Sequence, residues 1–269
     1  MSRYGWMFLL VMVIATLAVP ARAQEDEALE LAKKLANPIA SLISVPVQYN
    51  YDEYGDANDG ASVSSLIIQP VIPFSLSEEW LVITRTIVPL VDKNDFPLGA
   101  MNESGLGDIT ASQFFSPTTP CAGGWIWGVG PVELLPTASE DVLGTEKWGI
   151  GPTAVALKQN GPWTVGFLGN HIWSVAGDDD RNDINATSLQ PFVSYTTKTK
   201  TTFGLVTESV YDWDAEQWSV PVIPGVQQLF KIGPQIMQLS VFGKYWAEAP
   251  DNGPEGWGFR AQLTFVFPN

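Results

Sequence analysis

Few residues among these 269 could carry chemistry. His171 is the only histidine and Cys121 the only cysteine. A histidine can activate a serine nucleophile when the hydroxyl lies within hydrogen-bond reach. On a strand, that serine belongs two residues away, because successive side chains point to opposite faces. The serine nearest His171 is Ser174, three residues on and on the other face. His171 therefore reads as non-catalytic. One histidine and one cysteine also argue against a transition-metal centre. Cys121 reads as an unpaired thiol in a turn.

The carboxylates offer two further constellations. Asp178-Asp179-Asp180-Arg181-Asn182-Asp183 superficially resembles a calcium loop. It lacks the glycine at the sixth position and the distal bidentate glutamate of an EF-hand, so it reads as a solvated acidic loop. Loose Ca²⁺ or Mg²⁺ binding that bridges to lipopolysaccharide phosphates is the alternative. The second constellation is Arg85, Glu208, Lys244 and Arg260, with Asp108, scattered through segments that alternate polar and apolar residues. Two roles fit such charges if they face the inside of a barrel. They can form a salt-bridge network across the lumen, or a constriction that sorts solutes by charge. Gly128-Val129-Gly130-Pro131 lies within a strand-like segment, so it is no phosphate cradle.

The segments that must position these side chains have a period of two. In residues 257–267 every odd position is apolar, while Gly258, Arg260, Gln262, Thr264 and Val266 take the even ones. This is the pattern of a strand wetted by lipid on one face and by a polar interior on the other. About twelve such strands are predicted: 42–51, 61–72, 80–89, 105–116, 124–136, 148–158, 163–176, 186–196, 201–212, 217–229, 235–247 and 257–267. Longer, acidic connections (52–60, 90–104, 137–147, 177–185, 213–216, 248–256) alternate with tight turns. An even strand count with this rhythm is expected of a bacterial outer-membrane barrel. Trp80, Trp148, Trp163, Trp173, Trp218 and Trp257 fall near strand ends, where an aromatic girdle belongs. Asp108, Gln113 and Glu133 break the alternation of the fourth and fifth strands. Pro70, Pro152, Pro191 and Pro221 are awkward for a closed ladder. A soluble β-sandwich would also alternate, but the aromatic strand ends and the loop rhythm favour the barrel.

The N-terminus agrees with that location. Arg3, an apolar run from Phe8 to Val19, and Ala21-Arg22-Ala23 make residues 1–23 a cleavable signal peptide, too short for a spanning anchor. Its removal leaves 12 basic against 29 acidic side chains, a charge of −17. Such an excess argues against a nucleic-acid partner. Residues 24–40 have helical periodicity, with acids early and Lys33 and Lys34 late. This helix is either a plug in the barrel mouth or a short periplasmic segment. Residues 41–269 form the barrel.

Several segments together resemble a known group. They include Leu35-Ala-Asn-Pro-Ile-Ala-Ser-Leu-Ile-Ser-Val-Pro46, Ser104-Gly-Leu-Gly-Asp108, Trp127-Gly-Val-Gly-Pro131, Gly144-Thr-Glu-Lys-Trp-Gly149, Asn170-His-Ile-Trp-Ser-Val-Ala-Gly177 and Gly253-Pro-Glu-Gly-Trp257. The group is the bacterial outer-membrane β-barrel family labelled "neuromedin U" or "transporter", akin to the outer-membrane proteins of meta-pathway phenol degradation. The resemblance covers nearly all of the chain after the signal peptide and supplies no catalytic residues. It implies a barrel in the outer membrane of a Gram-negative cell.

The expectation is thus an all-β, transmembrane, antiparallel up-and-down barrel of about twelve strands. It would pass small solutes, aromatic or hydrophobic compounds among them, without cofactor, metal or enzymatic activity. Twelve-stranded outer-membrane phospholipases place catalytic side chains on the lipid-facing wall, and the missing serine beside His171 sets that class aside. Expected partners are outer-membrane lipid, lipopolysaccharide and the barrel-assembly machinery, which would engage the C-terminal strand. The alternative is a structural or surface-interaction barrel with a closed lumen.

Overall fold

The computed structural model describes residues 22–55, 60–95 and 102–267. Residues 1–21, which carry most of the expected signal peptide, lie outside the described residues, as do 56–59 and 96–101 within two of the long connections.

Fifteen strands make twelve staves. Nine staves are continuous: β1 (Ile43–Glu53), β4 (Trp80–Asn94), β7 (Trp125–Leu135), β8 (Lys147–Asn160), β9 (Trp163–Gly177), β10 (Asn185–Thr196), β13 (Gln217–Ile232), β14 (Gln235–Glu248) and β15 (Trp257–Phe267). Three are broken in two. These are β2 (Ser62–Ile68) with β3 (Val71–Ser75), β5 (Glu103–Leu106) with β6 (Ile109–Pro117), and β11 (Thr201–Thr207) with β12 (Ser209–Asp212). Each stave pairs antiparallel with its neighbours in sequence. β1 closes the ring on β15 from Ile43 opposite Phe267 to Tyr51 opposite Phe259. Closure excludes the two-layer sandwich and leaves no edge, the condition for backbone to survive in lipid.

The irregularities sit where the sequence interrupts the ladder. Pro70 falls in the gap between β2 and β3, and Asp108 in the gap between β5 and β6. Pro131 faces Pro152 across β7 and β8. β6 makes no recorded pair with Pro131, nor β9 with Pro152, as expected of residues without an N–H donor. The register shifts at Val220/Pro221 and at Trp148/Gly149. Gln113 and Glu133 share the parity of Phe115 and Val129 on the outer wall, and Gln113 Nε2 donates to Glu133 Oε2 at 3.0 Å. That mutual bond explains why alternation fails there.

The two faces differ as the period of two requires. Val165, Phe167, Leu205 and Phe259 are exposed on the outside, whereas Thr164, Ser240, Thr264 and Arg260 are buried within. Trp80 and Trp163 lie at the short-turn end, and Trp148, Trp173, Trp218 and Trp257 at the long-loop end. Trp163 and Trp173 are ten residues apart on β9. At ~3.3 Å per residue and a tilt near 40°, that separation is about 25 Å, the height of an outer-membrane apolar band. Neighbouring rings pack together at each end: Trp163 on Tyr195 at 4.9 Å, and Tyr245 on Trp257 at 5.1 Å.

The helix α1 spans Arg22–Leu35, five residues shorter at its C-terminal end than the periodicity suggested. Pro38 disfavours helix at Asn37, and the Asn37 side chain instead accepts the Ile39 N–H at 3.0 Å. The chain then turns into the short-turn end of the lumen.

Candidate functional site: the lumen

The lumen is organised from one end to the other by what its inward positions carry. At the short-turn end Ile39, 3 % exposed, packs among Val71, Ile83, Phe114, Val155, Leu157 and Leu168. These are inward residues of five staves, and they form an apolar socket around Ile39. Ala40 and Leu42 bury against Val266, with Leu31 and Leu35 of α1 packed alongside. Gln159 Nε2 donates to the Lys33 carbonyl at 2.8 Å. Residues 31–42 therefore occupy this end of the barrel as an inserted stopper.

Against residues 34–42, and partly lined by them, lies a cavity of about 260 Å³. Its lining includes Asn37, Ser44, Arg85, Phe192 and Phe242, with five glutamines: Gln69, Gln190, Gln227, Gln238 and Gln262. Phe242 lies flat across Gly225, where any Cβ would collide with its ring.

The next inward positions towards the long-loop end are charged. On β15, Arg260 follows Gln262 and Thr264; on β14, Lys244 follows Phe242. Arg260 donates Nη1 and Nη2 to both carboxylate oxygens of Glu208, at 2.8 and 2.6 Å, and Nε to Asn50 Oδ1 at 2.7 Å. Glu208 stands in the gap between β11 and β12, which lets its carboxylate reach across. Lys244 Nζ pairs with Asp52 Oδ2 at 2.7 Å and sits 4.5 Å from the centre of the Trp246 ring. Trp246 Nε1 donates to the second Asp52 oxygen at 2.8 Å. Arg85 Nη2 donates to Gln69 Oε1 at 3.2 Å, and its Nε is buried without a partner. Arg85, Glu208, Lys244 and Arg260 thus share one lumen. Asn50, Asp52 and Gln69 complete the set and were not singled out from the sequence. Their inward parity was readable, but not their reach to side chains on distant staves.

Asp108 belongs elsewhere. Its carboxylate accepts the backbone N–H groups of Thr137 and Ala138 at 3.1 Å, and Thr145 N and Oγ1 at 2.6 and 2.7 Å. It clamps the 136–146 connection, whose tight turn Asp141–Leu143 folds inward over the wall. Small residues make room for that fold: a Cβ at Gly105 would lie 3.1 Å from Leu143 Cδ1. Lys93 Nζ holds the Val142 carbonyl at 2.6 Å, and Arg181 holds the Asp141 carbonyl at 2.9 Å and the Gly144 carbonyl. Asp183 binds Lys147 Nζ at 3.1 Å and Ser174 Oγ at 3.0 Å. The bond from Lys147, then that from Ser174, hold the Asp183 carboxyl below its ordinary range. Burial, then Asp141 beside it, push Glu146 up. Burial raises the Tyr54 hydroxyl to about 12, with Asp52 adding to the effect. Two arginine and aspartate side chains of the acidic stretch are thus committed to a latch on the mouth.

His171 lies on the outer wall with its ring 4.0 Å from that of Trp173. Its Nδ1 is 2.7 Å from Thr187 Oγ1, which also accepts Trp213 Nε1 at 2.8 Å. Ser174 faces the other way, towards Asp183. Cys121 is exposed in the 118–124 turn.

A closed twelve-stave antiparallel barrel with an exposed apolar outer wall is an integral protein of the outer membrane. No family model and no curated protein sequence matches the chain. Among solved structures it resembles an outer membrane channel from Pseudomonas putida F1, with 16% identity and a TM-score of 0.65 over 84% of this chain and 96% of that one. It also resembles outer membrane phospholipase A from Escherichia coli, with 11% identity and a TM-score of 0.51 over 88% of this chain and 98% of that one. At these identities the likeness is one of fold. The second comparison corrects the expectation that the chain is not an enzyme. The same barrel serves a phospholipase, because a few side chains on a wall suffice for catalysis and the architecture beneath need not change. Enzymatic activity is therefore not decided by this fold.

Proposed function

We propose that the protein is a passive outer-membrane channel for small solutes, closed at rest by residues 31–42. The observation that carries this reading is the polar cavity with charged side chains beyond it, against which residues 34–42 are packed from the short-turn end. Barrels of ~8 strands are filled by their own side chains and those of 16–18 hold aqueous channels, so twelve fits a narrow, gated path. The fold likeness to a channel and the resemblance to the "neuromedin U" and phenol meta-pathway group support the same class. Aromatic or hydrophobic compounds are the permeants that group suggests. In this reading residues 1–23 are removed on export, β15 engages the assembly machinery, and the acidic loops meet lipopolysaccharide.

Purified protein in planar bilayers should show discrete conductance that rises when residues 24–40 are deleted. Silent bilayers for both forms would overturn the proposal. A second reading, a closed structural barrel, is favoured by the occupation of both ends of the lumen. Neutralising Lys244 separates the two: a filter changes ion selectivity with stability kept, whereas a strut loses the heat-resistant folded band.

A further inference from the structure

We infer that the lumen cavity is a binding site for a small organic anion, a carboxylate on an apolar body, with Arg85 as its anchor. Two observations converge. At the charged end of the cavity Arg260 and Lys244 each hold a carboxylate, Glu208 and Asp52, and Arg85 is the cation left over. Lys34 of the N-terminal segment also lines the cavity and adds positive charge there. Arg260 takes both oxygens of Glu208 and Lys244 is paired with Asp52, whereas Arg85 has no carboxylate within ion-pair distance among the described residues. Its only side-chain bond is to a neutral amide, and its Nε is buried and unpartnered. Arg85 lines the cavity, and a guanidinium there beside an amide presents the fork of N–H donors that a carboxylate accepts.

The cavity around it has the matching anatomy. Glutamine amides supply further N–H donors, while Leu42, Val71, Leu168, Phe192 and Phe242 supply an apolar wall. Its volume, about 260 Å³, falls just below the ~300 Å³ at which drug-sized ligand pockets begin, so the occupant is a small molecule. An inorganic ion would leave the apolar wall unused, and a neutral solute would leave the charge uncompensated. The preference opposes the chain's net charge of −15, which would attract cations to its surface.

This assignment deepens the channel reading and rests on it only for calling the anion a permeant. Calorimetric titration of the full-length, detergent-folded barrel with benzoate and with its neutral isostere benzamide tests the site. Benzoate should bind at least tenfold more tightly than benzamide, Arg85→Gln should remove that difference, and Arg85→Lys should keep part of it. Equal binding of benzoate and benzamide by the unaltered protein overturns the inference, whether or not the variants fold. So does an unchanged benzoate affinity in a folded Arg85→Gln barrel. The bilayer experiment is read separately. Conductance without benzoate binding sinks the site and spares the channel; benzoate binding in a silent barrel supports the site and sinks the channel.

Discussion

Single residues set how the lumen and its mouth are held. The Arg260 side chain is 8% exposed and that of Glu208 35%. Removing a partner from a fully buried pair costs about 3–5 kcal/mol, because the remaining charge is stranded. Water reaching Glu208 screens part of that, so Glu208→Gln should cost about 1–3 kcal/mol. The midpoint at which heating abolishes the fast-migrating folded band on gels should fall accordingly; an unchanged midpoint would show that the pair is not a strut. Asp183 gives a pH dependence of definite sign. Its carboxyl is held below its unfolded value chiefly by the hydrogen bond from Lys147. The latch therefore contributes stability above the ordinary carboxylate range of about 4 and loses it as pH falls through the depressed value. A spin label at Asp179→Cys in a Cys121→Ala background should become more mobile below that range. In Asp183→Asn it should show no such transition.

The elements were legible to different depths. All twelve staves were readable from the period of two, because lipid and lumen demand opposite side chains at successive positions. The breaks were legible in part: Pro70 has no N–H to give and Asp108 disturbs the alternation, whereas nothing in the local pattern marks Glu208. Asp108 illustrates the limit: the pattern of its strand assigns it no face and it stood as a possible lumen charge, yet its four donors come from a connection some thirty residues away in sequence. Two fates were open for residues 24–40, a plug or a periplasmic segment, and the packing of Ile39 in the apolar socket supports the first. Val155, Leu157, Ile83 and Phe114 occupy inward positions where a water-filled lumen would call for polar groups. Ile39→Ala should weaken docking by about 2–4 kcal/mol, the cost of truncating a buried isoleucine. Bilayer recordings should then show a larger open fraction, and an unaltered open fraction would mean that Ile39 does not hold the gate.

At the scale of the whole molecule, stability rests on closure. Every backbone group in the membrane band must find its partner in the next stave, and β15 serves β14 and β1 at once. Deleting 257–267 would expose two edges to lipid, and no heat-modifiable folded band should survive in detergent or vesicles. A surviving band would mean that β14 can re-pair with β1. The outer wall carries its own exceptions. Gln113 with Glu133, and His171 Nδ1 with Thr187, are polar pairs among apolar neighbours, while His171 Nε2 is buried without a partner.

The peg, residues 31–42, runs straight into β1 at Ile43. Twelve residues fully extended reach at most about 43 Å. A dislodged peg is therefore leashed to its own socket and cannot diffuse away. Its return is intramolecular, at an effective concentration of the millimolar order expected for short tethers. Each opening should then be brief and self-limiting, a flicker whose duration is set by the length of the leash rather than by any partner in the periplasm.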